Sequence, residues 1–132
     1  MNYCLNCQKA TNNKKFCTNK CQKDYEYKVY IDNWKKGNIK GLRGKYQISL
    51  QIKRYLFEKY NNSCCICKWN KVNPYTGLIP LEVEHIDGNF ENNSEENLIL
   101  LCPNCHSLTS TYKGANINKG RKARKQYSLY RK

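Results

Sequence analysis

The chain has two histidines, and each stands beside groups that can do chemistry. One lies in Val83-Glu84-His85-Ile86-Asp87-Gly88-Asn89, and the other in Asn97-Leu98-Ile99-Leu100-Leu101-Cys102-Pro103-Asn104-Cys105-His106. An imidazole is largely neutral near pH 7 and can take a proton from water. A carboxylate and a second imidazole can hold one hard cation that keeps room for water and a substrate oxygen. Hydrolysis of a phosphodiester needs this set: an activated water, positive charge on the phosphate and a stabilised leaving oxygen. His85 is therefore the candidate base, and Glu84 with His106 the candidate cation pair. The plainer readings are a surface histidine at 85, a solvated strand residue at 84, a strand-start or turn residue at Asn97, and a zinc ligand at 106.

Nine cysteines frame these residues. Cys64 and Cys67 form one C-x2-C pair and Cys102 and Cys105 another, with 34 residues between them. Such pairs present two soft sulfurs at the bite that zinc prefers, and two pairs complete a tetrahedral site. Cys4, Cys7, Cys17 and Cys21 form a second set, C-x2-C-x9-C-x3-C. Cys65 is the odd thiol and the alternative to Cys64 as ligand. Disulfides are the competing reading of all nine. No basic run leads into an apolar one after Met1, so no secretory leader is expected, and a cytoplasmic setting would keep the thiols reduced. A hydrophobic content of 39% is thin for so short a chain, and metal cross-links would supplement the core.

The elements that must hold these groups follow from local patterning. Residues 1–21 read as a short zinc finger. A helix is expected from Cys21 to about Lys36, with Tyr25, Val29 and Trp34 near one face and Gly37 as its stop. Residues 37–46 hold three glycines and read as a flexible basic linker. Ile48, Ile52, Leu56 and Tyr60 recur every fourth residue, which predicts a helix over 47–60. Strands are expected at 79–86 and 97–101, joined by a turn at Asp87-Gly88-Asn89 and a polar loop. Pro103 suits the first turn of a helix running to about Lys113, with Gly114 beyond it. The expected fold class is α+β, a zinc-stapled ββα unit: residues 1–36 a finger and helix, 37–46 a linker, 47–114 the catalytic domain, 115–132 a basic tail.

The formal charge is +14, and two zinc–tetrathiolate centres would bring it to about +10. Seven Lys/Arg and no acid lie between Asn33 and Phe57, and eight Lys/Arg and no acid between Lys113 and Lys132. Glu82 to Glu96 holds six acids and no Lys/Arg. Basic flanks suit phosphates and an acidic middle suits a cation. No 18-residue apolar run is present, so no membrane span is expected.

The span from Cys64 to Gly114 resembles the HNH endonuclease family in its zinc-knuckle form, common in bacteria and their phages. The carriers are Glu84-His85, Asn97 heading a strand, and Cys102-Pro103-Asn104-Cys105-His106, inside the four-cysteine frame. The finger and basic linker are similar, less specifically, to pieces of free-standing phage nucleases. The resemblance implies a ββα-metal fold and cleavage of DNA, double-stranded by expectation, with His85 as base and Asn97 bracing the loop that carries it. It implies two structural Zn2+ ions and one catalytic divalent ion, Mg2+ or Mn2+, held by Glu84 and His106. Monomer and homodimer are both compatible, as are homing, restriction and packaging roles. A zinc-ribbon DNA-binding protein without catalysis is the alternative. A zinc-built protein adaptor would explain the cysteines but not the basic flanks.

Arg43, Lys45, Lys113, Lys119, Arg121, Lys122, Arg124 and Lys125 are the expected phosphate contacts. The tail after Asn118 has almost no aliphatic content to fold alone. Deleting residues 119–132 should flatten the salt dependence of DNA binding by about 2 to 5 log units per log unit of salt, while zinc content and cleavage at saturating DNA persist. Binding isotherms at several salt concentrations check this; equal slopes for both proteins would remove the tail from the DNA-binding surface.

Overall fold

The computed structural model describes residues 1–109, and its contacts divide the chain between Ile39 and Lys40. In the first unit, β1 (Asn2–Tyr3) pairs antiparallel with β2 (Ala10–Thr11), and α1 (Asn19–Lys35) follows. The hairpin loop holds Cys4 and Cys7. It closes through Cys4 N–H to the Lys9 carbonyl at 2.8 Å and Gln8 N–H to the Cys4 carbonyl at 2.9 Å, with Gln8 at φ 65°. Helix α1 begins two residues before the expected Cys21, because the Thr18 hydroxyl accepts the Cys21 N–H at 3.1 Å and caps it. Gly37, at φ 80°, ends it as expected: Asn38 N–H reaches back to the Asn33 carbonyl. The buried face differs from expectation. Ile31 and Trp34 are buried, Tyr25 stacks obliquely on Phe16, and Val29 is exposed.

The second unit begins where a flexible linker is expected, and there the structure departs from the sequence reading. Residues 42–48 form a hairpin, β3 (Leu42–Arg43) against β4 (Gln47–Ile48), with Gly44 at φ 67° in its turn. Helix α2 therefore spans Leu50–Lys59 rather than 47–60. Buried Ser49 starts it, since its hydroxyl accepts the Ile52 N–H at 3.2 Å. Ile52 and Leu56 are fully buried, as their spacing predicts. Tyr60 caps the helix, and Asn61 and Asn62, both in the left-handed region, turn the chain away.

Strands β5 (Glu82–His85) and β6 (Leu98–Leu101) pair antiparallel in the register Glu82↔Leu101 to His85↔Leu98. Both are shorter than expected. Asn97 closes a 3-10 turn (Glu95–Asn97) instead of opening β6. Helix α3 spans Pro103–Ser107, with Pro103 in its first turn and the Cys102 sulfur accepting the Cys105 N–H at 3.4 Å. The expected continuation to Lys113 runs beyond the described residues. A core of Cys64, Leu81, Leu100, Leu101 and Cys102 lies between these elements, with Phe57 and Trp69 packed on it. Among the described residues, no helix is long and apolar enough to cross a membrane.

Helix α2 packs on β6, and Tyr55 and Lys59 both bond Glu95 in the 3-10 turn, so its start bears on the hairpin that carries the site. Ser49→Ala should cost about 1 kcal/mol of stability, read as a lowered melting temperature of the zinc-loaded protein. An unchanged melting temperature would show that the buried cap contributes nothing.

Candidate active site

Each unit holds one four-sulfur cluster. Cys4, Cys7, Cys17 and Cys21 have their sulfurs within 4.8 Å of one another, as do Cys64, Cys67, Cys102 and Cys105. Four thiolates on one zinc stand about 3.8 Å apart, from a Zn–S bond of about 2.3 Å. The sulfur–sulfur separations agree: 3.7 Å for Cys7–Cys17, 3.5 Å for Cys17–Cys21 and 3.6 Å for Cys67–Cys102. Cys64 rather than Cys65 joins the second cluster; Cys65 N–H instead donates to the Leu100 carbonyl at 2.9 Å.

Both knuckles are folded alike. Cys64 N–H donates to the Trp69 carbonyl, Lys68 N–H to the Cys64 carbonyl, and Lys68 sits at φ 69°, repeating the bonds of Cys4, Gln8 and Lys9. Burial pushes the Cys64 thiol up, but the backbone N–H groups of Cys67, Cys102 and Ile66 outweigh it and bring it down to about 6. Cys4 falls to about 6 in the same way, its burial outweighed by the backbone of Cys7, Cys17 and Asn6. Burial and the neighbouring sulfurs push Cys105 up to about 12. The sulfurs of Cys21 and Cys7, then burial, do the same to Cys17. Four sulfurs this close cannot all ionise against one another, and a central dication removes the conflict. Each donor set fits a zinc ion.

The second cluster fixes the hairpin beneath α3. Glu82 and Glu84 share one face of β5, since side chains alternate along a strand. His106, on α3, lies against both: its Nδ1 is 2.8 Å from Glu84 Oε2, and its Nε2 is 3.3 Å from Glu82 Oε2. Glu84 is buried and Glu82 exposed. A buried carboxylate and an imidazole converging this closely fit a divalent cation that takes few protein ligands. Glu82 was not foreseen as part of this group; a glutamate two residues from another on an exposed strand carries no signal by itself.

His85 ends β5, and its Nε2 lies 2.6 Å from Asn93 Oδ1. A side-chain amide oxygen only accepts, so Nε2–H is the donor in this bond. The loop between them is closed by side chains. Asn97 Oδ1 accepts the Asp87 N–H at 3.1 Å, and its Nδ2 donates to Asp87 Oδ1 at 2.9 Å and to the Asn92 carbonyl at 2.8 Å. Asn92 Nδ2 donates to Asp87 Oδ2 at 2.8 Å, and Asn89 N–H to Asp87 Oδ1 at 2.8 Å. Burial pushes the Asp87 carboxyl up; the bonds from Asn92, Asn89 and Asn97 together outweigh it and hold it below its usual range. Sequence reading missed Asn93, Asn92 and Asp87 as site residues, because nothing in a run of asparagines tells which one turns inward.

Of the expected phosphate contacts, Arg43 lies on β3 and Lys45 in the hairpin turn, both exposed. Lys113, Lys119, Arg121, Lys122, Arg124 and Lys125 lie outside the described residues.

Elemental analysis should find two zinc ions per chain. Cys102→Ser keeps a hydroxyl able to cap α3 but loses the thiolate, so it should hold one zinc and lose the fold of the second unit, because the metal's binding energy is part of the folding energy. Two zinc ions in the variant, or fewer than two in the parent, would overturn the assignment.

No family model matches the chain. It is 63% identical over 41 residues, 31% of its length, to the H-N-H endonuclease F-TflIV of Escherichia phage T5, and spans 18% of that protein. The solved structure of the Type IV phosphorothioation-dependent restriction endonuclease ScoMcrA aligns with a TM-score of 0.44 at 20% identity, over 72% of this chain and 21% of that one. Glu84 and His85 on β5, Asn97 at the end of the 3-10 turn before β6 and His106 on α3 stand beside a four-cysteine cluster, in a chain that is similar over part of its length to an H-N-H endonuclease of a phage.

Proposed function

We propose that this chain is a metal-dependent endonuclease that hydrolyses phosphodiester bonds of double-stranded DNA. The observation that carries the reading is the Glu84–His106 pair, 2.8 Å between Oε2 and Nδ1, which joins α3 to the strand that ends in His85. Glu84 and His106 would hold one divalent cation, Mg2+ or Mn2+. When bound, such a cation polarises the phosphate and stabilises the leaving oxygen. His85 takes a proton from water at Nδ1, the water oxygen forms a bond to phosphorus, and the bond to the leaving oxygen breaks as that oxygen gains a proton. Asn93 orients the imidazole through Nε2. Asn97 and Asp87 hold the loop on which both depend. Arg43 and Lys45, with Lys113, Lys119, Arg121, Lys122, Arg124 and Lys125, bind the DNA backbone. One copy would nick a strand and a homodimer would cut both. The setting would be the cytoplasm of a bacterium or of a phage-infected host.

Supercoiled plasmid should be nicked or linearised with Mg2+ or Mn2+ and left intact with EDTA. His85→Ala should lower the rate by about 10²- to 10⁴-fold while DNA affinity in EDTA stays close to the parent's, since a general base acts mainly in the transition state. His106→Ala should also abolish cleavage, through loss of the cation. A His85→Ala protein cutting at the parent's rate would remove the assigned base. A parent that binds DNA but does not cut it, whichever divalent ion is supplied, would leave the non-catalytic zinc-ribbon reading in its place.

A further inference from the structure

The hairpin of residues 42–48 is part of the second unit, and it touches the loop that follows His85. The Tyr46 ring, 60% exposed, meets the Phe90 ring edge-on, with centroids 5.3 Å apart and planes at 64°. Lys45 Nζ lies 5.4 Å from the centre of the Tyr46 ring. Arg43 bonds the Gln47 side-chain oxygen across the hairpin, which holds its guanidinium in place. Phe90 is itself fixed, because Asn89 Oδ1 accepts the Glu91 N–H at 3.0 Å and the Asn89 carbonyl accepts the Asn92 N–H at 3.0 Å. Three residues beyond Phe90, Asn93 holds the His85 imidazole. An aromatic ring thus stands in solvent beside two exposed cations, propped from below, at one end of the loop that carries the base.

We infer that Tyr46, supported by Phe90, is a non-ionic DNA contact that lies against a sugar or base edge while Arg43 and Lys45 hold the flanking phosphates. Charge complementarity selects the partner: no acid lies between Asn33 and Phe57, and seven Lys/Arg do. Polyanions with apolar faces suit a ring set among cations, and wedge or stacking side chains serve this purpose in groove and strand binding. The choice of double-stranded DNA as the polyanion rests on the nuclease reading. The contact joins the hairpin to the loop that follows His85.

The test measures binding to a 24-base-pair duplex in EDTA, where nothing is cut, at several salt concentrations. Tyr46→Ala should weaken binding on the order of 10-fold at every salt concentration, leaving the log–log slope as in the parent. Tyr46→Phe should bind as the parent does. Arg43→Ala and Lys45→Ala should each reduce the slope by about 0.9. Phe90→Ala should weaken binding as Tyr46→Ala does, through loss of the prop. As a measurement free of truncation, Tyr46→p-benzoylphenylalanine should crosslink to the duplex on irradiation. Tyr46→Ala binding within twofold of the parent, a changed slope for it, a Tyr46→Phe protein as weak as Tyr46→Ala, absence of the crosslink, or tighter binding to an RNA duplex would each overturn the inference. Loss of plasmid cleavage with these binding results intact would instead count against the nuclease reading.

Discussion

The four sulfurs of Cys64, Cys67, Cys102 and Cys105 are the constraint on which the second unit rests. Among its described residues, the buried aliphatic side chains are few: Ile52, Leu56, Leu81, Leu98, Leu100 and Leu101. A core of that size does not by itself offset the conformational entropy of ordering some seventy residues. A zinc ion on four thiolates would add binding energy that exists only in the folded state. Cys102 shows how closely ligation and folding are joined, because its sulfur belongs to the cluster, its side chain is buried, and it caps α3. Everything above the cluster inherits its placement. His106 follows Cys105 by one residue, so the cluster that seats α3 also seats the imidazole against Glu84.

A second layer of order is polar. The loop from Ile86 to Asn97 has little apolar surface to fold around, and it is held instead by bonds converging on Asp87. Asn97 meets both the backbone and the side chain of Asp87, so it ties the two ends of the loop together across the start of β6. Half-buried, hydrogen-bonded networks of this kind rigidify what they enclose. What they enclose here is the hydrogen bond between Asn93 and His85. The division of labour is physical: the four-sulfur cluster positions Glu84 and His106, and amides and a carboxylate position His85.

The two units use one local solution twice. Each has a C-x2-C knuckle closed by the same pair of backbone hydrogen bonds, followed by a residue in the left-handed region, then a further ligand pair at the start of a helix. The left-handed residue is Gln8 in one and Lys68 in the other, where glycine would carry no steric cost. The cap differs: Thr18 serves α1 while Cys102 serves α3, which leaves C-x3-C spacing in the first unit and C-x2-C in the second.

The sequence by itself determined the two cysteine clusters, the turn residues and the buried faces that follow from strict periodicity. Cysteine spacing marks both clusters because two sulfurs two residues apart have one natural bite. Ile52 and Leu56 are legible for the same reason, as are Pro103 at a helix start and Gly37 at a helix end. The pairing of Glu84 with His85 and the position of His106 after Cys105 are chemical signals that survive without any coordinates. Tertiary structure decided the rest. A basic, glycine-rich stretch became a hairpin because Ser49 capped α2 and freed Gln47 and Ile48 to pair with Arg43 and Leu42. The choice of Cys64 over Cys65 depends on which sulfur the knuckle turns inward, and the bond from Cys65 N–H to Leu100 settles it. Asn93, Glu82 and Phe90 gained their places from contacts between residues distant in sequence, to which neither composition nor period responds.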